Sequence, residues 1–339
     1  MSEIKNILTR EKTKFNAWMV FLIAFFLVLA FLELNWGSSG LQIGEMFSPT
    51  EDFSKVVFTE IRIPRLLTAI IVGAALSFSG LILQTVFRNP LVGPSVLGIS
   101  SGASLGVALV TLAGYSTLTD QDSSPKVVAA IVFSMAILLL LFTVANRFRD
   151  NVSVLIVGLL ISYLAGAIVD ILVYVSDNDA LKEFTLWGMG SFARMSYQQI
   201  TIMFILLSAA YWIVYSKRNL MNQYLIGELQ EIAPKKKKEL VFLLLVIAGV
   251  LTSFVTAYCG PIAFIGIAIP NLLRFVLKIT NHKYLLFGSI VLGSVIAVLC
   301  DLISSMPWST HSLPVNSVTS LFGIPIIIIM VFKSRNKGL

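Results

Sequence analysis

Few side chains in this 339-residue sequence can do covalent or metal chemistry, and their spacing argues against both. The histidines are His282 and His311, and the cysteines are Cys259 and Cys300. There is no H-E-x-x-H pair, no cluster with metal-ligand spacing and no G-x-x-x-x-G-K-[ST] phosphate loop, so no catalytic residue, metal site or ATPase activity is expected in the chain. Both cysteines fall near the ends of apolar runs, where they read as small hydrophobes, and two cysteines make no disulfide framework. Carboxylates are the more telling residues. Asp170 and Asp301 lie inside long apolar stretches, where a charge is expensive unless it faces a partner or a wet cavity.

Those apolar stretches decide the class of protein. Hydrophobic residues make up 57% of the chain and charged residues 13%, with a mean hydropathy of +0.88. A soluble fold has no interior large enough for that composition. Apolar runs recur along the whole chain, and a hydrocarbon core about 30 Å thick needs roughly 20 helical residues to cross it. The expected architecture is an all-α, polytopic membrane protein of about ten transmembrane helices. They are expected at residues 18–34, 66–87, 95–113, 127–145, 153–175, 197–215, 240–258, 261–277, 284–304 and 313–332. No linker or repeat divides it, so residues 1–339 read as one membrane domain, with a cytoplasmic segment at 1–17 and a cytoplasmic loop at 216–239. The basic start runs into the first span without a small-residue cleavage site and is expected to be retained.

Charge placement gives an orientation. With the N-terminus inside, 19 basic residues fall in inner segments and 6 in outer ones, so both termini are expected in the cytoplasm. The formal charge of +7 is thereby a topology signal and not a nucleic-acid footprint. The run Lys235 to Lys238 belongs to the same pattern and is suited to anionic lipid.

Glycine and proline punctuate the spans at two places. Arg88-Asn89-Pro90-Leu91-Val92-Gly93-Pro94 follows the second span, and Leu97-Gly98-Ile99-Ser100-Ser101-Gly102-Ala103 opens the third. Gly260-Pro261 and the segment to Asn271 do the same around the eighth. Irregular backbone at membrane depth is tolerated where it is buried in protein or lines a wet cavity. A transport path is one reading; the ordinary frequency of glycine and proline in spanning helices is the other.

These segments carry a family resemblance. Arg62-Ile63-Pro64-Arg65-Leu66, Val72 to Gly80, Leu83-Gln84 through Arg88-Asn89-Pro90-Leu91 to Gly98, Leu186-Trp187-Gly188-Met189-Gly190-Ser191, Gly260 to Arg274, Leu313-Pro314-Val315 and Gly323-Ile324-Pro325 together resemble the FecCD family of ABC importer permeases. The resemblance implies a permease subunit in the cytoplasmic (inner) membrane that moves an iron-siderophore chelate, with haem or cobalamin as the alternatives. It also implies a second permease copy or paralogue, two cytoplasmic ATP-binding subunits that hold ATP and Mg, and a periplasmic or lipoprotein substrate-binding protein. No cofactor is expected in the chain itself.

Site residues follow from the same resemblance. Arg62 and Arg65 match the R-x-P-R arginines that pair with acidic residues of the binding protein, a role to which Arg–carboxylate geometry is suited. Their other reading is anchorage of a helix end at lipid headgroups. A third docking arginine of the family corresponds to Ser305 here. Asp170 aligns with the outer gate of the path, against the alternative of a helix-packing hydrogen bond. Asn151 and Ser153 match the cytoplasmic gate region, or are ordinary helix caps, and Ser100 and Ser101 join the expected path. Gly227 and Glu228 begin the ATPase-coupling element, with Ala233 following; the sequence between Leu229 and Pro234 departs from the family pattern. A proton-driven secondary transporter using Asp170 and Asp301 is the principal rival reading.

Overall fold

The computed structural model describes residues 2–35, 55–113, 124–147, 151–227, 233–305 and 312–335. Twelve α-helices follow one another along these residues: α1 Ser2–Asn35, α2 Ile63–Phe87, α3 Ile99–Leu112, α4 Ser124–Arg147, α5 Asn151–Val175, α6 Asn178–Gly188, α7 Tyr197–Ser216, α8 Arg218–Ile226, α9 Pro234–Cys259, α10 Ile265–Leu277, α11 His282–Ser304 and α12 Val315–Arg335. A π-helical turn, Val57–Arg62, leads into α2. Pro64 has no N–H to offer the carbonyl of Glu60 four residues earlier, and the turn before it widens accordingly.

Helix α2 is the axis of the protein. Ala69, Gly73, Ala74, Ala75, Ser77, Ser79 and Gly80 are all buried on it, and an apolar helix without a polar face belongs inside a bundle. Lipid tails are as apolar as leucine, so helices here are held by close packing and hydrogen bonds more than by escape from solvent. Small residues provide that closeness. A methyl group on Gly73 would overlap the Gly293 carbonyl of α11, and one on Gly80 would overlap the Gly266 carbonyl of α10. Ser294 Oγ of α11 donates to Ile70 O at 3.0 Å, and Ser77 Oγ donates to Ser289 O. Helices α1, α7, α9, α10 and α11 surround α2. Helix α9 also packs on α3 and α4, which carry α5 on their far side.

Among the described residues, seven helices are long and apolar enough to cross a membrane: α1, α2 with its π turn, α4, α5, α7, α9 and α11. The other three expected spans are the shorter apolar helices α3, α10 and α12. Two of them are shortened at the glycine and proline segments. Residues 95–98 form turns ending at Gly98 (φ 79°), so α3 starts at Ile99 and not at 95. Gly260 (φ 77°) and Phe264 (φ 66°) likewise delay α10 until Ile265.

Polar segments hold more helix than expected. Residues 2–17 of the expected cytoplasmic segment are helical and run without a break into the first span within α1. The expected loop 216–239 contains α8 and the first turn of α9. Helix α6 has no buried residue and lies against α3, with Trp187 Nε1 donating to Ala257 O at 3.3 Å. Ser196 and Gln199 form a reciprocal cap at the start of α7. The two ends of the bundle are named below by Arg65 and Arg88, which stand at opposite ends of α2.

Candidate functional site

The other described residues leave most of helix α5 uncovered: 17% of its apolar window is buried. Tyr163, Ala167, Asp170 and Tyr174 recur at intervals of four, three and four residues, which places them on one face. All four are exposed, and Gly166 has open space around it. Among the described residues nothing hydrogen-bonds or pairs with Asp170. A carboxylate within a spanning helix and without a partner needs water or another protein surface in front of it. The face of α5 is therefore not simply a lipid-facing surface.

Near the Arg88 end the same helix meets the start of α3. Gly98 comes so close to Ser162 Oγ and Gly158 O that a Cβ would stand 2.9 and 3.1 Å from them, and its positive φ begins α3. Ser100 is buried and Ser101 half-buried in the first turn of α3. Asp170 is twelve residues beyond Gly158, about 18 Å along the axis at 1.5 Å per residue. The serines and Asp170 thus lie at different depths along α5 and are not one cluster. Ser153 is half-buried and has a polar or ring partner. Asn151 opens α5, its side chain outside the described residues. A separate cavity of about 530 Å³ is lined by Asn316, Ser317, Ser320, Leu321, Ile324 and Pro325, all on α12.

At the Arg65 end both expected docking arginines turn into the protein. Arg65 grips Asp301 with two donors, Nη2 to Oδ1 at 2.7 Å and Nε to Oδ2 at 2.8 Å. Asp301 is fully buried and the Arg65 side chain keeps 23% of its exposure. Arg62 is buried, donates to Leu34 O and lies 4.7 Å from the centre of the Phe58 ring. Glu33 is buried beside them, its Oε2 without a hydrogen-bond partner among the described residues. This ionic group ties α1, α2 and α11 together. Asp301, which reads from sequence as snorkelling or hydrogen-bonded and in the rival reading as a proton carrier, is hydrogen-bonded to an arginine 236 residues away in sequence.

The Arg88 end carries the expected coupling residues. Gly227 ends α8 with φ 96°, and Ala233 precedes α9. Glu228 lies outside the described residues, as does His311. Helix α8 is fastened from below. Tyr224 Oη donates to Val86 O at 2.8 Å, and the Arg88 guanidinium sits 4.5 Å from the Tyr224 ring centre while donating to its carbonyl. Burial pushes the Tyr224 phenol above its ordinary pKa, with the Arg88 cation opposing. His282, given no role by its sequence position, is buried here between Thr85 and Asn222. Cys259 and Cys300 are both free and buried, as two small hydrophobes would be.

Known proteins share this architecture and length. The FecCD transport family matches residues 22–333. The chain is 30% identical over 320 residues to the hemin transport system permease protein HmuU of Yersinia pestis, covering 94% of this chain and 96% of that one. It is 30% identical over 332 residues to the vitamin B12 import system permease protein BtuC of Shigella boydii serotype 18, covering 97% and 99%. Among solved structures, an inward-facing metal-chelate-type ABC transporter superposes with a TM-score of 0.80 at 27% identity, covering 94% of this chain and 99% of that one.

Proposed function

The chain belongs to the FecCD transport family, and from that membership we propose that it forms, with a second copy or a paralogue, the inner-membrane path of an ATP-driven importer for a metal chelate. Permeases of this family lack their own ATPase, and partner subunits hydrolyse the ATP. The observation that carries the reading is the extent of the match, 312 residues from 22 to 333, joined to a spanning helix whose carboxylate face is left open.

In this reading two α5 helices face each other across the path, with Asp170 at the outer gate and Ser100, Ser101, Asn151 and Ser153 toward the inner end. Both termini lie in the cytoplasm, on the strength of the basic-residue bias. The Arg88 end is then the cytoplasmic one, where Gly227, Glu228 and Ala233 meet the ATPase subunits that bind ATP and Mg. The Arg65 end receives the binding protein, whose carboxylates approach Arg65 directly and reach Arg62, which is buried and turned to Leu34 O, once that bond opens. Arg65 retains enough exposure for that approach while holding Asp301.

The cargo is a bulky metal chelate. Hemin and vitamin B12 stand in the names of the relatives above, and the iron-siderophore first expected from the sequence has no counterpart among those names. Uptake of labelled hemin, cobalamin and a ferric siderophore by cells with and without the chain tests the class. Loss of one of the three on deletion is expected, and undiminished uptake of all three would overturn the proposal.

The gate assignment has its own test. Asp170→Leu would line a wet constriction with an apolar pair, and transport is expected to fall about tenfold, corresponding to about 1.4 kcal/mol. Asp170→Thr keeps a polar gate and should transport within about threefold of the parent. Equal transport by the leucine variant would move the path away from α5.

A further inference from the structure

The buried imidazole of His282 is a joint between three helices. It is the first residue of α11, fully enclosed, with Nε2 2.9 Å from Thr85 Oγ1 near the end of α2 and Nδ1 2.7 Å from Asn222 Oδ1 on α8. Asn222 Oδ1 also accepts the His282 backbone N–H at 3.1 Å, and Asn222 Nδ2 donates to Asn281 Oδ1 at 3.2 Å. The amide oxygen is thereby fixed as an acceptor. A neutral imidazole then satisfies both contacts with its hydrogen on Nδ1, leaving Nε2 to accept from the Thr85 hydroxyl. That hydroxyl can instead turn to Leu81 O, 2.8 Å away.

The two helices that His282 joins below are already tied above. Arg65 and Asp301 link α2 to α11 at the far end, Ser294 and Ser77 bond across the middle, and Gly73 faces Gly293 at backbone contact. Fixed at both ends and between, α2 and α11 move as one body. Helix α8 hangs from that body through Asn222–His282 and through Tyr224–Val86, with Met221 fully buried beneath it. The next residue after α8 is Gly227, where the expected ATPase contact begins.

We propose that His282 and Asn222 are positioning residues for energy coupling: through them displacement of α8 by the ATPase subunits is delivered to the joined α2–α11 pair and on, through α9 and the α3 and α4 helices packed on it, to the α5 face. The proposal rests on the reading that the segment from Gly227 meets the ATPase. A buried polar joint suits this task, because its hydrogen bonds break all at once or hold, so force on α8 moves α2 and α11 instead of bending a loop.

The test uses the complete importer, with both ATPase subunits, in lipid vesicles, and magnesium ATP with vanadate as the probe. A spin label at Tyr174→Cys, 89% exposed at the far end of α5, reports the separation of the two copies, since Cys259 and Cys300 are buried from the reagent. In the parent protein trapping is expected to shift that separation. Asn222→Ala and His282→Ala should keep basal ATP hydrolysis within about twofold while the shift shrinks to what the Tyr224–Val86 tie alone can carry and transport per ATP falls about tenfold. His282→Gln, which can still bridge Thr85 and Asn222, should restore part of the shift. Asn222→Ala alone decides if His282→Ala does not fold. A full shift in Asn222→Ala would overturn the proposal. No shift and no ATPase assembly in the parent protein would instead remove the importer reading, and this proposal with it.

Discussion

Asp301→Ala is expected to destabilise the folded protein by about 3–5 kcal/mol, the range seen when one member of a buried ion pair is removed. The carboxylate is fully buried and receives two donors from Arg65, so its loss leaves a largely enclosed guanidinium without its counter-charge. The break also separates α2 from α11 at the Arg65 end. Replacing both members, Arg65→Leu with Asp301→Leu, should recover most of the loss, because a well-packed apolar pair often equals a buried salt bridge. Thermal unfolding of the purified protein in detergent reads both effects. Equal melting temperatures for the parent and Asp301→Ala would mean that the pair contributes nothing to holding α2 on α11.

Gly80→Leu is the second large effect. The atom a side chain would strike is the backbone carbonyl of Gly266, and neither helix can yield as a side chain would. Overpacking a core ordinarily costs about 1–3 kcal/mol, and a clash with backbone belongs at or above the top of that range. Helix α10 would be pushed from α2, taking with it the Gln84 Nε2 to Ile267 O bond at 3.1 Å and the Asn271 Nδ2 to Pro90 O bond at 2.6 Å. The expected result is little or no monodisperse protein after detergent extraction. Gly166→Leu, on the open face of α5, should give normal yields. Normal yield and melting temperature for Gly80→Leu would contradict the close approach of α2 and α10.

Spans, helix stops and buried ion pairs are unequally visible in sequence. The spans could be read because a bilayer demands long apolar runs, and seven of them are helices of spanning length. The glycine and proline segments at 90–98 and 260–264 could be read as irregular, but not as stopping α3 and α10 short, since that depends on which residues take positive φ. The short helices α6 and α8 were missed for another reason. They lie at the ends of spans, carry mixed residues and owe their place to contacts such as Trp187 with Ala257 and Tyr224 with Val86.

Site residues divide the same way. Asp170 declared itself, because a carboxylate in an apolar run is conspicuous whatever it touches. Arg62 and Arg65 were legible as arginines by motif, yet nothing local reveals that Arg65 is held by Asp301 or that Arg62 turns to Leu34. His282 was invisible as a joint. Its partners Thr85 and Asn222 are 197 and 60 residues away, and a single histidine beside a basic loop carries no pattern. The nearest signal was Asn281-His282-Lys283 at a span boundary, which reads equally well as a solvated turn.

The proposed permease is moved by ATP hydrolysed on partner subunits. The most direct measurement is uptake of labelled hemin, cobalamin and a ferric siderophore by vesicles holding the chain, its ATPase partners and the binding protein, with ATP on the ATPase side. Uptake of one chelate that requires ATP, stops with vanadate and ignores collapse of the proton gradient is the predicted result. Uptake by the chain alone, driven by the proton gradient and indifferent to vanadate, would contradict it.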